Sequence, residues 1–194
     1  MQKEAKMKKD NENSDLPSER RDAIALNVTL KRDLPLESAG LEVRQAATGA
    51  QLVGYASMFN QPTKIASWLT EIIADTAFDE ALKRPDDVRV LRNHDPDNLL
   101  GRTGNGTARL IKDTVGLRYE VDLPDTQVAR DTHALVKRRD IKGSSFMFKV
   151  TAHKIEKHDD GAITRTITAT KLYDVGPVTF PQYEGATSEA RAGQ

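Results

Sequence analysis

The sequence has no cysteine. That excludes disulfides, a cysteine nucleophile and any thiolate metal site, and it fits a cytoplasmic setting. Long apolar runs are missing as well: the longest stretches are a few residues, against the roughly 20 a membrane span needs. A soluble protein without a membrane segment is therefore expected. The opening stretch, MQKEAKMKKDNENSDLPSER, lacks the apolar segment of a secretory signal, so no export is expected. Charge of one sign is also lacking, since 29 basic and 29 acidic residues cancel. No overall field then draws the chain to nucleic acid or anionic lipid. Aromatic residues make up 5%, few for the stacking platforms of a single-strand binder. Neither a nucleic acid nor a membrane is expected as partner.

What is present suits one domain with tails, because 194 residues match the usual domain size of roughly 100–200. Residues 1–36 read as a largely disordered charged tail, too poor in apolar side chains to offset the entropy of ordering. Within it, Ala23 to Leu30 could form a strand, while Leu34-Pro35-Leu36 breaks regular structure. Residues 186–194 are small and polar and read as a second tail. Between the tails, over 37–185, the pattern is mostly β. Leu41–Arg44 and Gln51–Phe59 predict a hairpin turning at Ala47–Ala50. Leu110-Ile111 and Gly116–Leu123 flank a turn at Lys112-Asp113, and Ser145–Val150 alternates with Phe146, Phe148 and Val150 on one face. His158–Gly161 predicts a turn into a strand over Ala162–Leu172. Two helices are predicted: Thr76–Arg84, capped by Asp75 and stopped by Pro85, and the amphipathic Thr126–Arg139. The expected fold class is α+β, mainly β: a small antiparallel barrel or curved sheet with a few packed helices.

Four histidines are available for chemistry: His94, His133, His153 and His158. His94 stands where the apolar Val90-Leu91 runs into the turn-forming Asn93-His94-Asp95-Pro96, and a base at a strand end is both held and open to substrate. A turn residue with no catalytic role fits the same local pattern. His133 lies on the amphipathic helix and His158 in a charged turn, both solvated positions, whereas His153 sits in a strand. A metal site could use His94, Asp95 and Asp97, but no second histidine stands at a converging spacing. No metal or cofactor is expected. Gly143-Ser144-Ser145-Phe146 reads as a glycine turn that presents two hydroxyls and backbone amides at a sheet edge, which suits a nucleophile and an oxyanion site. An ordinary connection rich in glycine and serine reads the same way. Asp174 is an acid amid apolar strand residues and calls for a partner, catalytic or structural.

Taken together, these segments resemble the prohead proteases of tailed bacteriophages, a family related in fold and mechanism to the herpesvirus assemblins. The likeness runs from about Val53 to Tyr183, with motifs in family order: Gly54–Asn60, Ala77–Leu82, Asn93–Pro96, Leu100–Thr103, Gly116-Leu117, Asp122–Thr126, Gly143–Phe148 and Val175–Pro181. The resemblance implies that His94 is the base and Ser145, directly before the Phe-x-Phe strand, the nucleophile, with Ser144 ranked second. Asp174 is the implied third member, ahead of Asp95 and His153; Ala169 stands where many relatives carry an acid. It further implies a serine endopeptidase that needs no cofactor and works in the host cytoplasm inside the assembling prohead. The implied substrates are scaffold protein, scaffold-like segments of the major capsid protein, and the tails of the protease itself, with a homo-oligomer as a possible state. The competing expectation is a non-catalytic assembly or scaffold-binding module on the same fold.

Overall fold

The computed structural model describes residues 13–34, 36–47, 49–83 and 87–180. Among them are four helices, α1 (Ser18–Ala23), α2 (Leu36–Ala39), α3 (Asp79–Lys83) and α4 (Gln127–Lys137). The strands are β1 (Thr29–Leu34), β2 (Glu42–Ala46), β3 (Gly49–Met58), β4 (Thr63–Ala66), β5 (Leu69–Ile73) and β6 (Arg89–Leu91). They continue with β7 (Leu99–Arg102), β8 (Ala108–Lys112), β9 (Gly116–Asp122), β10 (Gly143–Lys157) and β11 (Ile163–Val178).

Two sheets result, and the mainly β, α+β expectation holds. One is a four-stranded antiparallel sheet in the order β2-β3-β9-β8. It includes the expected hairpin, closed between Ala46 and Gly49, and the turn at Asp113, whose carboxylate accepts from the Val115 and Gly116 amides. The other has seven strands in the order β1-β10-β11-β5-β4, with β6 joining β11 to β7. Neither sheet closes into a barrel, and the expected antiparallel pairing fails twice. β11 is 16 residues long, so its outer edge has room for two strands, and both β5 and β6 lie parallel to it. Alternation of side chains marks a strand but carries no direction. Register shifts within β10–β11, after Met147 and around Ala152, bend the long hairpin.

One core lies between the sheets. Leu52, Tyr119 and Val121 from the smaller sheet meet Phe146, Phe148, Ile167 and Val175 from the larger, and Ala129 and Val136 of α4 join them. Phe78, Phe146 and Phe148 form a run of ring contacts at 5.7 and 4.6 Å. The amphipathic helix is found nearly as expected, with Thr126 accepting from the Ala129 amide at its start.

Two expectations need correction. The first of the two expected helices, α3, begins at Asp79, not near Thr76, because Ala77 is buried and its carbonyl accepts from both the amide and the hydroxyl of Thr170 on β11. That tertiary contact holds Thr76–Phe78 as a turn; the expected stop at Pro85 lies outside the described residues. The charged N-terminal segment is ordered from residue 13 to 34. Its few apolar side chains find distant partners: Ile24 packs with Leu69 and Ile163, Arg20 lies over the Trp68 ring at 4.8 Å, and β1 pairs along β10. Residues 1–12 and the expected C-terminal tail lie outside the described residues.

Candidate active site

Three segments distant in sequence converge at one end of the larger sheet. Ser145 enters on β10, opposite Gly176 of β11. Gly143 is the first residue of that strand and pairs with Val178, so the serines sit within the ladder rather than on a glycine turn. Neighbouring strand residues face opposite ways, and the two hydroxyls part accordingly. Ser144 Oγ donates towards Tyr119 OH at 3.2 Å in the core, where burial raises the Tyr119 phenol above its ordinary value. Ser145 faces the other side.

Asp174 is on β11, paired with Met147 of β10 on one edge and with Arg89 of β6 on the other. Its neighbourhood explains Gly176: a Cβ there would lie 2.0 Å from the Leu91 carbonyl oxygen, so only glycine lets β6 approach so closely. β6 then delivers His94 through a turn in which Asn93 and His94 both adopt left-handed backbone, φ 58° and 57°. Such a conformation costs about 1–2 kcal/mol per residue. The Asn93 side chain holds it by accepting from the Thr179 amide at 2.8 Å and donating to the Thr179 hydroxyl at 3.2 Å.

The outcome is a continuous relay. His94 Nδ1 donates to Asp174 Oδ1 at 2.5 Å, and Ser145 Oγ, 2.6 Å from His94 Nε2, donates to it. The proton placement follows from the partners, since an ionised carboxylate only accepts. Asp174 and Ser145 are buried, and the His94 side chain is 8% exposed. A hydroxyl, an imidazole and a carboxylate in this order can deprotonate the hydroxyl and hold the resulting imidazolium.

The sequence of caudovirus prohead serine proteases, taken as a family profile, matches residues 39–194. The chain belongs to that family. A prohead protease is a serine peptidase of capsid maturation, and membership of the family gives this chain that role. The solved structure of the bacteriophage T4 capsid assembly protease is similar, with TM-score 0.51 and 13% identity over 79% of this chain and 98% of that one. At that identity the likeness concerns the fold. No curated protein matches.

The other candidates of this prohead protease lie apart from the relay. Asp95 caps the following turn, accepting from the Asp97 amide and the Asn98 side chain. His153 accepts from Arg165 Nε at 3.2 Å. His158 pairs with the Thr164 hydroxyl in an exposed turn, and His133 lies on α4. Among the described residues no three His, Cys, Asp or Glu side chains converge as metal ligands, and no helix is long and apolar enough to cross a membrane.

Sequence reasoning missed the strand that borders the nucleophile. β1 runs antiparallel to β10 with Asp33 opposite Ser145 and Arg32 opposite Phe146. It also missed a buried ionic cluster in which Glu71 receives two hydrogen bonds from Arg32, at 2.6 and 3.0 Å, and lies 3.7 Å from Arg165. Burial pushes the Arg165 guanidinium below its ordinary value. A carboxylate in the short strand Leu69–Ile73 and an arginine between the apolar Ile163 and Ile167 were the signals available, since buried charges demand partners.

Proposed function

We propose that His94, Ser145 and Asp174 are the catalytic triad of this prohead protease. The observation that carries the reading is the unbroken relay from Ser145 Oγ through both ring nitrogens of His94 to Asp174, with links of 2.6 and 2.5 Å. Ser145 attacks the peptide carbonyl while His94 takes its proton; His94 then returns that proton to the leaving amine, and Asp174 fixes the tautomer throughout. Donors for the oxyanion come from backbone amides around Ser145, where charge develops. The ester is released by water that His94 activates in the same way.

The substrates in this reading are scaffold protein or a scaffold-like segment of the major capsid protein, together with the chain's own tail. Kinship with the herpesvirus assemblins belongs to the same proposal, supported by the order of motifs along the chain. A serine-reactive phosphonate probe tests the assignment: covalent mass should appear on the peptide containing Ser145 and disappear in His94→Ala. Labelling confined to other serines, in a preparation that cleaves capsid precursor, would remove Ser145 from the mechanism.

A further inference from the structure

The outer face of the larger sheet carries charges that the relay does not use. Phe146, Phe148 and Val150 turn into the core, so the alternate residues Ser145, Met147 and Lys149 of β10 share the opposite face. β1 runs beside them in unbroken register, with Asp33 opposite Ser145, Lys31 opposite Met147 and Thr29 opposite Lys149. Along the other edge Asp174 stands opposite Met147, and Lys171 stands opposite Lys149. Lys31, Lys149 and Lys171 therefore form one cluster on the face that carries Ser145.

Lys171 reaches that face only through an irregularity in β11. It lies three residues from Asp174, and an odd spacing puts two side chains on opposite faces of a regular strand. The register shift between Met147 and Phe148 leaves Tyr173 without a partner residue, and this bulge turns Lys171 to the side of Asp174. The Lys171 ammonium then lies 5.7 Å from the centre of the Tyr173 ring, which attracts it. Like charges directly opposite each other destabilise a sheet, yet among the described residues none of the three lysines has a carboxylate partner. The carboxylates of this face lie at the Ser145 end: Asp33 is opposite the nucleophile and Asp174 is bound to His94.

We propose that Lys31, Lys149 and Lys171 form a docking site for an acidic stretch of the substrate polypeptide, set off from the bond that is cut. Its place in catalysis rests on Ser145 being the nucleophile. Lys149 is four strand residues from Ser145, about 13 Å at the usual rise, so the acidic side chains stand roughly three to five residues from the attacked carbonyl. Three ammonium groups that repel one another gain from a shared counter-charge, and they steer an acidic chain towards the site. The attraction weakens as salt rises. A peptide suits the cluster better than a nucleic acid, because it is three charges across and adjoins the relay, on a chain whose 29 basic and 29 acidic residues otherwise cancel.

The test uses the full chain and reads binding apart from cleavage. Isothermal titration of Ser145→Ala with hexaglutamate should show binding that hexaglutamine lacks, and changing all three lysines to alanine should weaken it about tenfold. The triple variant should keep its thermal midpoint or raise it, since the opposed charges are gone; should it not fold, Lys149→Gln and Lys171→Gln singly take its place. For cleavage, peptides spanning the bond cut in the capsid precursor carry three glutamates or three glutamines, three to five residues from that bond, on either flank. With the serine intact, glutamate on one flank should raise kcat/KM about tenfold at low salt, through KM, and the lysine variants should lose that preference while cutting the glutamine peptides normally. Hexaglutamate binding that is absent or independent of the lysines, or lysine-dependent binding of a DNA oligonucleotide tighter than that of hexaglutamate, would overturn the docking site while Ser145 keeps its function. Failure to cut any peptide, with Ser145 unlabelled by the phosphonate, would overturn the catalytic reading and the substrate role together.

Discussion

The two sheets differ in how they treat polar groups. The four-stranded sheet keeps its charges at the surface, where Arg109 meets Glu120 and Asp122, and Arg118 meets Glu120, all partly exposed. Two of its three pairings, β2–β3 and β8–β9, join neighbours in sequence, the third joins β3 to the distant β9, and all three are antiparallel. The larger sheet buries Ser144, Ser145, Glu71, Arg165 and Asp174, takes strands in both directions and carries the two left-handed residues at Asn93 and His94. Buried polar groups and strained backbone cost stability unless every partner is in place. One sheet is scaffold by this measure, and the other concentrates the expense where the proposed chemistry lies.

Substitutions can break or sharpen that contrast. The largest effect is expected from His94→Ala, which should lower the rate of cleavage of capsid precursor by roughly a million-fold and also lower the thermal midpoint, because the buried Asp174 carboxylate loses its partner. Asp174→Asn should retain the geometry yet lose about ten-thousand-fold in kcat, measured by single-turnover cleavage, because an amide can turn its NH2 to Nδ1, which favours the wrong tautomer, and it carries no charge to hold the imidazolium. Gly176→Ala should act through the fold: its methyl meets the Leu91 carbonyl oxygen at 2.0 Å, and a loss of roughly 3 kcal/mol should appear in urea denaturation. Asn93→Ala removes both contacts to Thr179 and the residue best suited to left-handed backbone. A loss of about 2 kcal/mol should accompany a lower kcat. Arg109→Ala, in the smaller sheet, should shift the denaturation midpoint by less than about 0.5 kcal/mol and leave cleavage intact. A comparable penalty at Arg109 and Asn93 would erase the distinction between the sheets.

The same contrast explains how much the sequence disclosed. The hairpin at residues 46–49, the Asp113 turn and the helix opened by Thr126 obey rules that act within a few residues, and each was legible. Ser145–Val150 was legible as a strand because its apolar residues alternate. The direction of β5 and β6 against β11 was hidden, since parallel pairing leaves no mark on alternation. β1 was hidden because a charged segment gains order only from contacts with Leu69, Ile163 and β10, all far along the chain. His94, Ser145 and Asp174 were nameable from motif order, but their convergence depends on the approach of β6 over Gly176, a contact between residues about eighty apart. Glu71 and Arg165 were single charges in apolar strands, and only the fold pairs them.

The proposed triad is tested most directly by Ser145→Ala on the cognate capsid precursor, with Ser144→Ala as its control. Ser144 differs by one position and faces the core beside Tyr119, so its alanine variant should cost about 1 kcal/mol of stability and keep near wild-type cleavage. Ser145→Ala should fold, with a wild-type thermal midpoint, and release no product over the time in which wild type finishes. Cleavage by folded Ser145→Ala at the wild-type rate would contradict the account.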